Sequence, residues 1–384
     1  MNPLDFFTLA YYGKYYIIAI IFGIIIGLYA LFRVYYALNS TTLSKNKKII
    51  ISITIAVIAF VIMLNGWSNA AIFTVYLFFA SILADSIRLI WKYLLQDKYL
   101  KTIPRLHKKG ILAFIIYALI LIHGFYGMNH IDLTEYNLTT DKIGNDSYSI
   151  LFVSDIHYNT EENSQLINES ISEMNKLKPD IVVLGGDIVD ERTSKESMKE
   201  IFKELGSINS TYGVYYIYGN HDKQPHVAHY ENGNRTFTDT ELKQVITSNG
   251  IKILENKKII INNDLVLIGR EDRGKDPDME RPNVTNMLNK SDYSKYIVVL
   301  DHQPIHKDED LGDGIDLQLS GHTHAGQLFP FNILQELNNI YNYGEYKHHN
   351  MVQIVSSGLI GFGWPIRNEG ECEYVLININ STED

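Results

Sequence analysis

Four long apolar runs dominate the first third of this 384-residue chain and constrain its fold more than any other feature. They cover residues 15–32, 49–64, 68–84 and 111–128, and none of them contains a charged side chain. Crossing a bilayer takes about 20 apolar residues, and soluble domains seldom contain four such runs in succession. We therefore expect residues 1–130 to form a four-span transmembrane anchor.

The charge of the chain is divided between two unlike parts. Residues 1–130 carry 12 Lys and Arg against 3 Asp and Glu, a net charge of +9, whereas the remainder carries 22 against 41, a net charge of -19. The basic, apolar part suits a lipid bilayer, and the acidic part repels nucleic acid, so no nucleic-acid partner is expected. Cys372 is the only cysteine, which excludes a disulfide scaffold, and no pattern implies a protein partner.

The connections between the apolar runs predict an orientation. Lys and Arg cluster between the first and second runs and again between the third and fourth, whereas residues 129–141 contain Asp132 and Glu135 but no Lys or Arg. The positive-inside rule then places both basic connections in the cytoplasm. Four spans return the chain to its starting side, so we expect a multi-pass cell-membrane protein whose later residues lie on the extracytoplasmic side.

The remainder of the chain alternates short apolar strands with helices. We expect a linker and first strand at 131–147, followed by one domain at 148–384. Its predicted strands cover residues 149–153, 181–184, 214–218, 259–261, 265–268, 296–300, 315–319, 351–355 and 374–379, and its predicted helices cover 162–177, 195–205 and 238–248. Apolar strands alternating with helices indicate the α/β class, with a sheet covered on both faces.

Polar side chains follow five of these strands, at the point where each strand ends. Since ligands bind at the carboxyl ends of strands in α/β sheets, these side chains are candidates for one site. Three of these side chains follow glycine, which allows the chain to turn sharply. Asp187 follows Gly185 and Gly186, Asn220 follows Gly219, and His322 follows Gly321. The seven candidate metal ligands are Asp155, His157, Asp187, Asn220, His302, His322 and His324.

The donor types of this set predict the kind of metal. Carboxylate, amide and imidazole donors without a thiolate suit Mn²⁺, Fe²⁺/Fe³⁺ or Zn²⁺ better than Ca²⁺, whose ligands are all oxygen. Seven ligands are too many for one tetrahedral ion but suit two divalent ions that share a carboxylate. The alternative, five unrelated polar turns, is disfavoured because clusters of His and Asp are rarely buried without a metal or catalytic role.

The order of these motifs resembles the calcineurin-like metallophosphoesterase superfamily. The motifs are Asp-Xaa-His, Gly-Gly-Asp, Gly-Asn-His-Asp, a separate His and Gly-His-Thr-His. The chain looks closest to a membrane-anchored bacterial branch that is similar to UDP-2,3-diacylglucosamine hydrolases. It departs from the pattern at Ala325, where a glycine is usual, and after Arg367, where Asn-Glu-Gly-Glu replaces a Pro-Glu pair. The resemblance implies a two-sheet sandwich flanked by helices.

The resemblance also implies a role for each matching residue. One group of three would bind the first metal ion, a second group of three would bind the second ion, and one carboxylate would bridge them: Asp155, His157 and His324; Asn220, His302 and His322; and Asp187. Beside the metals, His221 would stabilise the transition state or protonate the leaving oxygen, Asp222 would orient His221, and Arg367 would bind the substrate phosphate.

The function implied is hydrolysis of a phosphoester or pyrophosphate bond by a metal-bridging hydroxide. The membrane anchor favours a membrane lipid head group as substrate, and Phe329, Phe331, Phe362 and Trp364 are candidates for an apolar rim beside the site. Two alternatives stay open. One is a broader phosphodiesterase that acts on nucleotides or cell-envelope polymers, and the other is a non-catalytic membrane sensor.

Overall fold

The computed structural model describes most of the chain as two compact units, Met1–His123 and Gly124–Asp384. The described residues are 3–66, 68–95, 102–144, 147–227, 233–274, 280–305, 311–348 and 350–382, with side chains from residue 17 onward except that of Leu95. Lys98 and Lys101, two of the basic residues between the third and fourth apolar runs, lie outside these ranges.

Each apolar run forms part of one long helix. The helices are α1 (Pro3–Leu38), α2 (Lys45–Met63), α3 (Asn69–Leu95), the short basic α4 (Thr102–Lys108) and α5 (Ile111–Met128), whose last turn belongs to the second unit. Large apolar side chains on them are widely exposed; Phe32 is 71% and Ile122 65% exposed. Four of these helices are long and apolar enough to cross a membrane, and such exposed apolar surface suits lipid rather than water.

A partly buried ionic cluster joins three helices of the first unit. Asp85 on α3 lies 2.6 Å from the His107 Nε2 atom on α4 and 3.2 Å from the Arg33 Nε atom on α1. The Tyr29 hydroxyl donates a hydrogen bond to the same carboxylate at 2.7 Å. Because an ionised group in an apolar surrounding is costly unless it is paired, this cluster stabilises the association of α1, α3 and α4.

The second unit is built on two six-stranded mixed sheets. The first has the order β1 (Ile131–Thr140), β12 (Cys372–Ser381), β2 (Ser147–Val153), β3 (Ile181–Leu184), β4 (Val214–Tyr216) and β5 (Lys252–Ile253). The second has the order β10 (Gly344–His348), β11 (Met351–Val355), β9 (Leu317–Ser320), β8 (Tyr296–Leu300), β7 (Leu265–Gly269) and β6 (Lys257–Ile261). Strands β2 to β5 are parallel, as are β7, β8, β9 and β11.

Apolar side chains fill the space between the two sheets and the outer face of the first sheet. Phe152 and Val183 from the first sheet share one cluster with Leu267, Val298 and Leu319 from the second. A second cluster joins the first sheet to α6 (Ser164–Leu177), α7 (Lys195–Gly206) and α8 (Asp239–Ser248). A short helix, α9 (Phe331–Leu337), follows β9. The structure therefore confirms the predicted two-sheet sandwich flanked by helices.

Candidate metal centre

The structure brings the predicted metal ligands together at the carboxyl ends of the strands. Six of them form two groups, and within each group the potential ligand atoms lie within 4.8 Å of one another: Asp155, His157 and His324 in the first, and Asp187, His302 and His322 in the second. The seventh, Asn220, follows Gly219 and precedes His221, and the backbones of both neighbours approach Asp187. Five separate strand ends thus contribute to one place, as the sequence predicts.

Asp187 lies between the two groups. Its Oδ2 atom is 3.1 Å from the His302 Nε2 atom of the second group and 4.0 Å from the His157 Nε2 atom of the first. Its Oδ1 atom accepts a hydrogen bond from the His221 backbone N–H at 2.7 Å. A carboxylate in this position can contribute a ligand to each of two ions, which is the bridging role that the resemblance implies.

Several buried polar atoms here lack hydrogen-bond partners among the described residues. They include the His157 Nε2 atom and the Asn220 Oδ1 atom. A buried polar group left without a hydrogen bond costs about 1–3 kcal/mol, so a fold rarely retains several in one place without a ligand. Imidazole nitrogens, an amide oxygen and carboxylates are donors for Mn²⁺, Fe or Zn²⁺. The residues present therefore fit two divalent ions.

The backbone of the candidate ligands is strained. Five of the seven have positive φ angles, in a region that residues with a side chain seldom adopt: Asp155 at 53°, His157 at 45°, Asp187 at 51°, His322 at 71° and His324 at 49°. Each such residue costs on the order of 1–3 kcal/mol, and this kind of strain concentrates at functional sites. The surrounding sheets hold these residues in the strained conformation, which lowers the free energy of unfolding.

Two glycines allow the ligand loops to approach one another closely. A Cβ atom on Gly219 would lie 2.3 Å from the Asp187 Oδ1 atom, and one on Gly321 would lie 2.2 Å from the Asp155 Oδ2 atom. Both distances are far below van der Waals contact. Any side chain at either position would therefore displace a candidate ligand, which explains the glycines before Asn220 and His322.

Burial and charge set the protonation of the ligands. Burial lowers the pKa of His322 and of His324 to about 3, so both rings are neutral at pH 7. Burial also disfavours the charged form of His302, but the charge of Asp187 outweighs it and raises the pKa of His302, so a cation would have to displace that proton. Burial opposes ionisation of Asp187, but the charges of His302 and His221 outweigh it and hold the pKa of that carboxyl well below its ordinary value. Asp187 is thus a carboxylate, ready to bind a cation.

His221 lies beside the two groups and is oriented by a residue that the sequence analysis did not identify. Its Nδ1 atom is 2.8 Å from the Oε2 atom of Glu191, a buried carboxylate. Burial disfavours the charged ring, but Asp187 and Glu191 outweigh it and raise the pKa of His221 to about 9. Glu191 lies four residues after Asp187 in the same turn, and an acidic side chain so near a candidate ligand was the available signal.

Asp222 contacts the backbone of the ligand turns, and its predicted role in orienting His221 stays a prediction. The Asp222 carboxylate accepts hydrogen bonds from the backbone N–H groups of Asp187, Ile188, Val189 and Gly219, at 2.6–3.2 Å. Burial and the charge of Asp187 raise the pKa of Asp222 to about 7, against the backbone donors of Gly219 and Val189, which favour the ionised form. Through these hydrogen bonds, Asp222 connects the turn that contains Asp187 with the turn that contains Asn220.

Arg367 lies beside the candidate metal centre, with its Nη2 atom 3.5 Å from the His324 Nδ1 atom, and its predicted role in binding the substrate phosphate stays a prediction. Arg367 is only 1% exposed. Its guanidinium donates hydrogen bonds to the backbone carbonyl oxygens of Ser357, Ile360 and Glu371 at 3.0–3.2 Å. These contacts hold the loop after β11 in shape and fix the guanidinium next to a candidate metal ligand.

An aromatic ring covers the first group of ligands. The centroid of the Phe362 ring is 4.4 Å from that of His157 and 4.8 Å from that of His221. The Phe362 backbone N–H donates to the Gln327 Oε1 atom at 2.7 Å, and this bond fixes the position of the loop. Of the four aromatic residues considered for an apolar rim, Phe362 therefore lies directly at the candidate metal centre.

Relatives of known description support a family assignment. A Campylobacter jejuni protein described as an uncharacterized metallophosphoesterase is 30% identical over 324 residues, which cover 80% of this chain and 79% of that protein. A Helicobacter pylori protein of the same description is 33% identical over 64% of this chain, but the match spans only 63% of that relative's length. A Danio rerio protein described as a transmembrane protein with metallophosphoesterase domain is 28% identical over 70% of this chain and 62% of its own.

None of these relatives is described as a UDP-2,3-diacylglucosamine hydrolase, so that narrower resemblance stays a prediction. The crystal structure of a dimetal phosphatase from Danio rerio matches 56% of this chain and 88% of its own, with 11% identity and a TM-score of 0.36. That likeness is weak, and the assignment rests on the sequence matches. A family model for calcineurin-like phosphoesterases matches residues 148–326. The chain therefore belongs to the calcineurin-like metallophosphoesterase family, whose members are metal-dependent phosphoric ester hydrolases.

Proposed function

We propose that this protein is a membrane-anchored two-metal phosphoesterase, which hydrolyses a phosphoester or pyrophosphate bond in the head group of a membrane lipid. The observation that carries the hydrolytic part is the pair of buried His and Asp groups on either side of Asp187. Membership of a metallophosphoesterase family supports the same chemistry. The lipid substrate rests on other observations, which concern α5 and Phe362.

The proposed ligand roles follow the two groups. Asp155, His157 and His324 would hold one divalent ion, Asn220, His302 and His322 would hold the other, and Asp187 would contact both. Two ions held in this way supply positive charge to the phosphoryl oxygens and activate water as the nucleophile. Mn²⁺, Fe and Zn²⁺ all fit the donor types, and manganese is the ion we propose to test first.

The side chains beside the ligands would donate a proton to the leaving oxygen and keep bulk water away from the site. His221, with its Nδ1 atom held by Glu191, presents its other ring nitrogen as the proton donor for the leaving oxygen. Glu191 is a positioning residue because it acts through His221. Phe362 covers His157 and His221 and so limits the access of bulk water on that side.

Three features favour a lipid substrate. The apolar helix α5 ends at Met128 and β1 begins at Ile131, so the two elements can be no more than about 11 Å apart. The Gly124 carbonyl in the last part of α5 accepts a hydrogen bond from the Arg367 backbone N–H at 2.8 Å, in the loop that also carries Phe362. Phe362 itself offers an apolar surface at the candidate metal centre.

A substrate panel tests this proposal. We expect the purified full-length protein with Mn²⁺ to hydrolyse phosphoester or pyrophosphate lipids in mixed micelles with a kcat/KM at least about tenfold above that for nucleotides with the same bond. The reason is that the anchored protein and the lipid share one micelle, which raises the effective concentration of the substrate. The released head group is measured by mass spectrometry, with Asp187→Asn as the inactive control. Faster cleavage of soluble nucleotides would refute the lipid substrate and favour the broader phosphodiesterase.

The extracytoplasmic position of the catalytic domain is part of the same proposal. It rests on the Lys and Arg residues of the two basic connections. We expect alkaline phosphatase fused to the C-terminus to be active in cells, since that reporter matures only where disulfides form. The same reporter fused after Lys109, which keeps both basic connections, should be inactive. The opposite result for the two fusions would place the domain in the cytoplasm.

A further inference from the structure

A third group of potential metal ligands lies next to the candidate metal centre and includes none of the seven predicted ligands. It consists of Glu191, His221 and His226, and one carboxylate oxygen and one ring nitrogen from each histidine lie within 4.8 Å of one another. The Glu191 Oε2 atom is 2.8 Å from the His221 Nδ1 atom, and the two histidine rings are 5.5 Å apart.

The structure holds this group in place before any ion arrives. The Glu191 Oε1 atom accepts a hydrogen bond from the His226 backbone N–H at 3.1 Å, so both carboxylate oxygens are directed by members of the group. Glu191 is buried, and the His221 and His226 side chains are partly buried. Two histidines and one glutamate that leave a coordination position open form a ligand set typical of zinc sites with three protein ligands.

We propose that Glu191, His221 and His226 form a third divalent-cation site, selective for zinc-like ions, whose occupation inhibits hydrolysis. The inhibition rests on the proposed function, whereas the binding of the ion does not. The His221 Nδ1 atom cannot bind a cation and keep its hydrogen bond to Glu191 at the same time. An ion in this site would therefore hold the His221 ring and the Glu191 carboxylate as its own ligands and remove His221 from its proposed role.

Ion selectivity follows from the donor types. Two of the three donors are imidazole nitrogens, and Zn²⁺ binds such sites more tightly than Mn²⁺ does. Excess Zn²⁺ should therefore fill the third site at concentrations where excess Mn²⁺ does not. Activity should rise as the first two ions bind and fall as the third one does, and the falling phase should appear with excess Zn²⁺ and not with excess Mn²⁺.

The test counts ions and measures activity on the same samples. Full-length protein loaded with two equivalents of Mn²⁺ is titrated with Zn²⁺, and bound zinc and manganese are counted together by mass spectrometry after gel filtration. On the same samples, hydrolysis of an alkyl phosphoester is followed by release of its alcohol, because an alkoxide leaving group needs the proton donor. We expect the wild type to bind a third ion and to lose activity roughly 10²-fold, the scale of a lost proton donor. His226→Ala should bind one ion fewer and keep its low-zinc activity at high zinc.

His130→Ala is the matched control, because His130 pairs with Asp132 at 3.2 Å as an exposed histidine–carboxylate pair outside the group. It should behave as the wild type does. Equal numbers of ions on the wild type and on His226→Ala would overturn the site, and a third ion without loss of activity would overturn its inhibitory role. A third ion on a protein that hydrolyses no substrate at two ions would support the site and refute the proposed function instead.

Discussion

Replacing Asp187 with asparagine is expected to lower kcat/KM for phosphoester hydrolysis roughly 10³-fold, since a metal pair supplies several kcal/mol of transition-state stabilisation and each 1.36 kcal/mol is worth tenfold. The reason lies in the position of this carboxylate, which is 3.1 Å from the His302 Nε2 atom and 4.0 Å from the His157 Nε2 atom. An amide keeps the shape of the side chain but loses the negative charge that two cations would share. Metal analysis should find no more than one tightly bound ion per chain.

Asp239→Asn is the matched control for this variant, because Asp239 is an exposed carboxylate on α8 that pairs with Arg235 and lies away from the candidate metal centre. It should retain two ions and full activity. Circular dichroism and the elution volume in gel filtration would show whether Asp187→Asn is folded. A folded Asp187→Asn protein that kept two ions and wild-type activity would contradict the bridging role.

Replacing His221 with alanine is expected to lower kcat by about 10²–10⁴-fold while leaving the two ions bound, because His221 belongs to neither of the two ligand groups and acts as a proton donor. The two variants therefore differ in a measurable way: Asp187→Asn loses metal and activity together, and His221→Ala loses activity alone. Loss of metal from His221→Ala would show that the ring is a ligand. Wild-type activity in His221→Ala would favour a different proton donor.

The leaving group provides a second readout for His221. A nitrophenolate leaves without much help from an acid, whereas an alkoxide needs a proton, so the loss in His221→Ala should be smaller for an aryl ester than for an alkyl ester. Glu191→Gln keeps the size of the Glu191 side chain but weakens its hold on the His221 Nδ1 atom. It should show the same dependence on the leaving group with a smaller loss, as a positioning residue would.

Most regular elements of the second unit could be predicted because their signals are local. The predicted helix at 238–248 corresponds to α8, which begins after Thr238, where Thr238 and Glu241 form a capping box. The predicted strand at 181–184 matches β3, whose four residues are all buried. By contrast, the two-residue β5 and the half-exposed β10 were not predicted, since neither has the apolar run that identifies a buried strand.

The pairing of strands was beyond the reach of sequence patterns. The apolar pattern alone indicated a sheet covered on both faces, and only the resemblance implied two sheets. In the structure β1 pairs in parallel with β12, from Ile131 with Cys372 to Thr140 with Ser381. About 240 residues separate these partners in the chain, and the pairing depends on the packing of everything between them.

The contacts of Asp222, Glu191 and Arg367 show which properties of the site a sequence motif can predict. Each motif predicted which residue types meet at the strand ends, and the two ligand groups agree with that prediction. The hydrogen-bond partner of each side chain, however, depends on where that side chain points in the folded protein, which a motif does not specify. The Asp222 carboxylate accepts a hydrogen bond from the Asp187 backbone N–H, and the Glu191 carboxylate contacts the His221 Nδ1 atom. The Arg367 guanidinium donates to backbone carbonyl groups, among them that of Ser357.

The sequence by itself determined that the chain has four membrane-length apolar helices, that strands alternate with helices after them, and that His, Asp and Asn follow five strands. These properties depend on composition and spacing along a short stretch of chain, where periodicity reports directly on burial. Only the tertiary structure decided that the strands form two sheets, that Asp187 lies between two ligand groups, and that His226 stands beside Glu191 and His221. Those relations join residues far apart in the chain, and side-chain packing and hydrogen-bond geometry settle them, which no local pattern encodes.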